Sequence, residues 1–249
     1  MGIKYLEFTR KDGYQCAYNR TKYAMVRYAD DFAFMCESKE DAEAVYQELE
    51  PYLDARGLEL EPNKTRVVSI EDGFDFLGFN IRMFKTANGE KPIIKPSKDT
   101  VSKSMKQISE KVRALNGKNV GEVITMLNPI ITGKANYWCP MVAKESFSKM
   151  DNHIFIVMRR FLTRMHPKKS LKWIQKRYYK TDFTGKCKNR WILTDPINNN
   201  QLKIMTQTKI IRHTMIKHNS SPYDESLVEY FEKRDKKSNL PRQMEKKYA

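Results

Sequence analysis

The residue pattern changes near Lys91-Pro92-Ile93-Ile94-Lys95-Pro96-Ser97, and this change limits the fold more than any other feature. Before it, short apolar runs are separated by turn residues. After it, apolar residues recur at helical spacing. A chain patterned this way is α+β, with β-hairpins and a helix first and an α-helical region second. The Pro-punctuated stretch reads as a link, so residues 1–96 and 97–235 are expected to form two domains, with 236–249 as a basic tail. At 249 residues, 40% of them hydrophobic, the chain can bury two such cores and is not disordered throughout.

Charge follows the same division. Residues 1–100 hold 15 Lys and Arg against 18 Asp and Glu, a net of −3; the remaining residues hold 31 against 12, a net of +19. A one-sided excess of this size suggests a polyanion-binding surface in the second part, although a solvated basic face is the alternative. The longest apolar runs, such as Ala33-Phe34-Met35-Cys36, fall far short of the roughly 20 residues that span a bilayer, and no signal peptide opens the sequence. Met1-Gly2 has Leu6 where a myristoylation signal has Ser or Thr. An intracellular location is expected: cytoplasmic in a bacterium, or the organellar matrix in a eukaryote. Cys16, Cys36, Cys139 and Cys187 have no zinc or CxxC spacing and read as reduced thiols, Cys36 in the core. His153, His166, His213 and His218 show no metal spacing either.

In the first part, Met25 to Met35 reads as two apolar strands flanking Asp30-Asp31 at a hairpin tip. Adjacent carboxylates repel unless water screens them or a cation neutralises them. Their hard oxygens suit Mg²⁺ and phosphoryl transfer; a solvated turn is the competing reading. Ser38 caps a helix whose Ala42, Val45, Tyr46, Leu49 and Leu53 face a core, with Pro51 kinking it late and Gly57 ending it. Leu58-Glu59-Leu60 and Arg66-Val67-Val68-Ser69-Ile70 read as strands around a Pro62-Asn63-Lys64-Thr65 turn. Asp72-Gly73 is a hairpin signal, and Phe74 to Ile81 reads as one aromatic strand in which Gly78 marks a close backbone approach. Lys11-Asp12-Gly13-Tyr14 is a turn among Lys-, Arg- and Tyr-rich residues.

Tyr28-Ala29-Asp30-Asp31, then a helix, then Gly57-Leu58-Glu59-Leu60 with Pro62-Asn63-Lys64-Thr65, then Phe76-Leu77-Gly78-Phe79, resembles the reverse transcriptases encoded by bacterial and organellar group II introns. The resemblance implies that residues 20–84 form the second half of a polymerase palm. Asp30 and Asp31 would be catalytic and bind Mg²⁺. Tyr28 and Lys64 would lie near the nucleotide, and Phe76, Leu77, Gly78 and Phe79 would belong to the strand pair that grips the primer. Lys64 reads equally well as a solvated turn lysine, and at least one of Phe76 and Phe79 as core. The family's palm uses a further aspartate well before this hairpin, and a fingers region ahead of that. Only 27 residues precede Tyr28. The expectation is that this chain does not polymerise DNA alone: a separate fingers and palm chain or a homodimer mate completes the site, or the carboxylates are a remnant.

In the second part, Ser97 or Thr100 caps a helix with Val101, Met105, Ile108, Val112 and Leu115 on one face, stopped by Asn116-Gly117. Asn119 with Glu122 starts another, which Asn128-Pro129 interrupts before Ile130 to Trp138. Phe147, Met150, Ile154, Val157, Met158, Phe161 and Met165 mark a long amphipathic helix, with Arg159, Arg160 and Arg164 off its apolar stripe. His166 to Arg190 is the densest basic stretch, including Lys168, Lys169, Lys172, Lys176, Arg177 and Lys180, interleaved with Trp173, Tyr178, Tyr179 and Trp191. Cations hold phosphates and aromatics stack on unpaired bases, which favours RNA, though Trp173 and Trp191 taken singly read as core. Lys209 to His213 and Ile216 to His218 read as the end of a further helix, followed by a tail that starts helical.

Gly133-Lys134-Ala135-Asn136-Tyr137-Trp138, Met158 to Pro167 with Lys169-Ser170 and Trp173, and Ile211-Arg212-His213 before Ser221-Pro222-Tyr223-Asp224 resemble the maturase-specific region (domain X, or thumb) of the same proteins. This implies a helical thumb that binds group II intron RNA and helps it fold and splice, with Arg212 and His213 joining the basic set above as RNA contacts. No HNH-type cysteine pairs follow, so DNA cleavage is not expected. The three readings are a maturase-type RNA-binding protein, a reverse transcriptase subunit completed in trans, and a decayed mobile-element remnant.

Overall fold

A computed structural model describes residues 5–9, 15–19, 23–62, 64–87, 89–185, 189–212, 216 and 223–238. The chain divides into two compact units, Met1–Ile93 and Ile94–Ala249. It is α+β: small antiparallel sheets accompany one helix in the first unit, and helices dominate the second.

In the first unit, β1 (Tyr5–Thr9) pairs antiparallel with β2 (Gln15–Asn19), so the expected Lys11–Tyr14 turn falls between them, outside the described residues. β3 (Tyr23–Tyr28) pairs with β4 (Asp31–Cys36), placing Tyr28 opposite Asp31 and Met25 opposite Phe34. Helix α1 (Lys39–Asp54) packs on β4. Its cap is the one the sequence announces: Ser38 Oγ accepts from the Asp41 amide at 3.1 Å. Val45 is its buried residue, and the helix runs through Pro51.

Three extended readings do not hold. Residues 58–60 and 66–70 are not strands. Leu58, Val67, Val68 and Ile70 are exposed, and alternating residues form a strand only where a partner backbone takes up the ladder. The Ile70 carbonyl alone is engaged by the β6 region, accepting from the Met83 amide at 2.9 Å. Asp72-Gly73 is a turn (Gly73 φ +82°) without a strand before it. Residues 74–81 are not one strand but β5 (Phe74–Phe76) and the start of β6 (Phe79–Thr86), with Phe76 opposite Phe79. The two loop residues, Leu77 at φ +49° and Gly78 at φ +80°, both lie in the left-handed region that a type I′ hairpin requires. Turn geometry therefore accounts for Gly78. The expected link 91–97 is largely β7 (Gly89–Pro96), in the order β5-β6-β7. Pro92 and Pro96 are tolerated because β7 is an edge strand.

In the second unit, α2 (Lys98–Ala114) is capped by Ser97, whose Oγ accepts from the Thr100 amide at 3.2 Å. It buries Val101, Ser104, Ile108 and Val112 and packs against α4 (Lys144–Met165). Between them, α3 (Val120–Trp138) is capped by Asn119, which accepts from the Glu122 amide at 2.8 Å. The expected break at Asn128-Pro129 is absent: α3 is continuous. Buried Leu127, Ile131, Ala135 and Trp138 lie on both sides of Pro129 and hold the two halves in one core. The Asn128 carbonyl accepts from Thr132 Oγ1 at 2.8 Å, while its side chain donates to the Gln201 carbonyl (3.1 Å) and accepts from the Lys203 amide (2.8 Å).

The stripe on α4 is core as expected, with Phe147, Met150, Ile154, Met158, Phe161 and Leu162 buried and Trp138 stacked on Phe147 at 6.5 Å. Helix α5 (Leu171–Tyr178) leads into β8 (Tyr179–Lys180), which pairs with β9 (Ile192–Leu193). Residues 209–212 are not helical, and His213, Lys217 and His218 lie outside the described residues. A 3-10 turn, Met205–Gln207, is held on α4 instead, because Asp151 accepts from the Met205 amide (2.8 Å), the Thr206 amide (2.9 Å) and Thr206 Oγ1 (2.7 Å). Helix α6 (Val228–Ser238) follows, and most of the expected tail lies outside the described residues. No helix among the described residues is long and apolar enough to cross a membrane.

Candidate nucleic-acid interface

Two surfaces carry the residues singled out above, one in each unit. In the first, the β3-β4 loop is Ala29-Asp30, and Asp31 opens β4. Both aspartates and Tyr28 are exposed. Ala29 sits at φ +50°, a conformation that costs a residue bearing Cβ roughly 1–2 kcal/mol. Arg27 Nε donates to the Ala29 carbonyl at 2.9 Å and fastens the loop from outside. Sequence-adjacent carboxylates on a tight hairpin supply hard oxygen ligands suited to Mg²⁺, but at most part of a six-oxygen shell. No group of three or more His, Cys, Asp or Glu converges among the described residues. Lys64 is exposed; Phe76, Leu77 and Gly78 are half-buried; Phe79 is buried.

Cys36 is half-buried rather than core, and burial together with nearby Asp41 pushes its thiol pKa up. Cys139 is buried and likewise raised by burial. Nothing here activates either thiol. His153 Nε2 shares a 2.8 Å hydrogen bond with Ser109 Oγ and lies 3.0 Å from the Met105 carbonyl, a structural role between α2 and α4.

In the second unit, the basic residues gather along the end of α4, the following turn and α5. Arg159, Arg160, Arg164, Lys168, Lys169, Lys172, Lys176 and Arg177 are all exposed. Trp173 and Arg177 are four residues apart on α5 and Lys169 directly precedes the Ser170 cap, and Lys169 Nζ and the Arg177 guanidinium each lie 5.4 Å from the Trp173 ring centre. Trp173 is half-buried, edge-on to His166 at 5.1 Å. His166 in turn shares a 2.7 Å hydrogen bond with the buried Tyr178 hydroxyl. These contacts, with the Ser170 cap on the Trp173 amide, fix the orientation of α5 against α4. Lys180 is half-buried beside Phe183; Arg212 is exposed, and His213 lies outside the described residues.

Around the corner from α5, Phe155, Tyr179 and Trp191 form an aromatic cluster. Trp191, read from sequence as core, is 48% exposed because β9 begins only at Ile192 and leaves its ring at the edge of the fold. The Tyr179 hydroxyl is buried yet finds no hydrogen-bond partner among the described residues. Burial pushes its pKa up to about 12, with Arg159 acting in the opposite sense, so it remains a proton donor at neutral pH. Sequence reasoning noted Tyr179 among the interleaved aromatics but had no signal for its unpaired hydroxyl, or for Phe155 beside it.

Residues 10–81 match the family described as Reverse transcriptase (RNA-dependent DNA polymerase). Residues 101–179 match the family described as Group II intron, maturase-specific domain. The two follow each other in the order of the hairpin unit and the helical unit, and together they support a group II intron maturase/reverse transcriptase fragment. No curated protein matches it.

Proposed function

We propose that the chain acts as a maturase-type RNA-binding protein, gripping group II intron RNA through the basic face of α4 and α5 and helping that RNA reach its splicing-competent fold. The single observation that carries this is the exposed row of arginines and lysines from Arg159 to Arg177, held in fixed orientation within the maturase-specific match. Each phosphate contact releases condensed counterions, so affinity falls steeply with salt. The test is filter binding of a group II intron RNA at several salt concentrations. A log–log slope near zero defeats the reading. Arg159, Arg160, Arg164, Lys168, Lys169, Lys172, Lys176, Arg177, Lys180 and Arg212 supply the charge, and Trp173 the adjoining aromatic surface.

A second reading is favoured by the hairpin in the other unit. Asp30 and Asp31 are both presented at its tip, where they would hold Mg²⁺ as part of a polymerase site whose remaining ligands come from elsewhere, with Tyr28, Lys64 and the Phe76–Phe79 hairpin toward nucleotide and primer. The ion, when bound, would neutralise phosphate charge; the chain's own part is to aim two carboxylates. Nucleotide incorporation on adding a separate fingers and palm fragment, abolished by Asp30→Ala, supports this reading. Incorporation unchanged by that substitution excludes it.

A further inference from the structure

A cleft of about 490 Å³ opens between α4 and the β8-β9 ribbon. That is within the range of pockets that take small ligands, ~300–1,000 Å³. Phe155, Tyr179 and Trp191 line one part of it, with ring centres 5.5 to 6.2 Å apart. Its polar lining includes Asn152, Asn189 and Lys203, all exposed. Two features are hard to explain by folding alone. A half-exposed tryptophan, Trp191, lines the cleft. The buried Tyr179 hydroxyl has no hydrogen-bond partner among the described residues, and an unsatisfied buried hydroxyl weakens the free protein.

We propose that this cleft captures one unstacked base of single-stranded RNA, stacked on Trp191 and hydrogen-bonded at its edge by the Tyr179 hydroxyl. The chemistry of the lining selects this occupant. Aromatic faces accept the flat face of any base, and the amides and the phenol offer donors and acceptors to its edge. Lys203 in the lining and Arg159 near the phenol supply positive charge for the attached phosphates. A purely apolar ligand would leave the phenol as unpaired as before. The inference rests on the RNA-binding reading above and adds to it a strand-selective pocket that the basic helix face does not supply.

The test uses the full chain and a single-stranded RNA dodecamer carrying 2-aminopurine, with the same dodecamer in a duplex as control. Trp191→Ala should weaken single-strand binding by about tenfold and abolish the change in 2-aminopurine emission, while leaving duplex affinity and the salt slope unchanged. Tyr179→Phe should lower single-strand affinity and yet leave the urea midpoint unchanged or raised, because it removes an unpaired hydroxyl; a structural tyrosine would lose both together. Wild-type single-strand affinity in both variants, with a normal salt slope, overturns the pocket and leaves the basic face standing. Equal loss of duplex and single-strand binding also overturns it. If the unaltered chain binds neither RNA, both readings fall.

Discussion

Individual side chains set the local tensions in this molecule. Ala29 holds a left-handed conformation at the hairpin tip. Ala29→Gly should therefore stabilise β3-β4 by up to about 1 kcal/mol, seen as greater amide-exchange protection along both strands. Asp151 offers a pH test. Burial raises its pKa from the ordinary 3.8 against the pull of three hydrogen bonds and nearby Lys144. The folded state then holds this proton more tightly than the unfolded chain. Between 3.8 and the raised value, stability contributed by this group is greatest at low pH and declines as pH rises. Urea titrations across that window should show the slope in the wild type and its loss in Asp151→Asn. Asp30→Ala should leave affinity for intron RNA unchanged if binding belongs to the helical unit; a marked loss would tie the hairpin to it.

Among the elements, α3 shows how tertiary contacts overrule a local signal. Proline removes an amide and crowds the preceding turn, which argues for a break. The core on both sides and the two hydrogen bonds from the Asn128 side chain to residues 201–203 keep one helix. Asn128→Ala should cost about 0.5–1.5 kcal/mol in urea unfolding, since it removes one part-buried and one exposed hydrogen bond that tie α3 to residues 201–203. Three helices were legible because each carries its own punctuation, Ser38, Ser97 and Asn119 capping as side-chain chemistry dictates, while α4, which starts after Ala143 without a side-chain cap, was legible from its apolar stripe. The extended segments were not, because pairing depends on a partner strand. Arg66 to Ile70 is rich in β-branched residues yet does not pair as a strand, and Pro92 to Pro96 pairs despite two prolines. The tip of the Asp30-Asp31 hairpin and the exposed cations could be read from residue order; the aromatic cleft could not, since Phe155, Tyr179 and Trp191 come from separate elements. Replacing Lys168, Lys169, Lys172 and Arg177 together by Ala should weaken intron RNA binding and flatten its salt slope by up to about four; unchanged binding would exclude this patch.

On the scale of the whole molecule, composition and architecture divide at nearly the same place. A first unit without excess positive charge carries paired carboxylates, and a second with the whole excess carries the helices. The bracket around α5 has a thermodynamic corollary. His166, Tyr178 and the Ser170 cap settle the backbone of this helix during folding. A nucleic acid arriving there meets a preorganised scaffold, so little chain entropy is left to lose at the encounter. Calorimetry of that association should accordingly record a far smaller heat-capacity decrement than the coupled ordering of an arginine-rich arm would give.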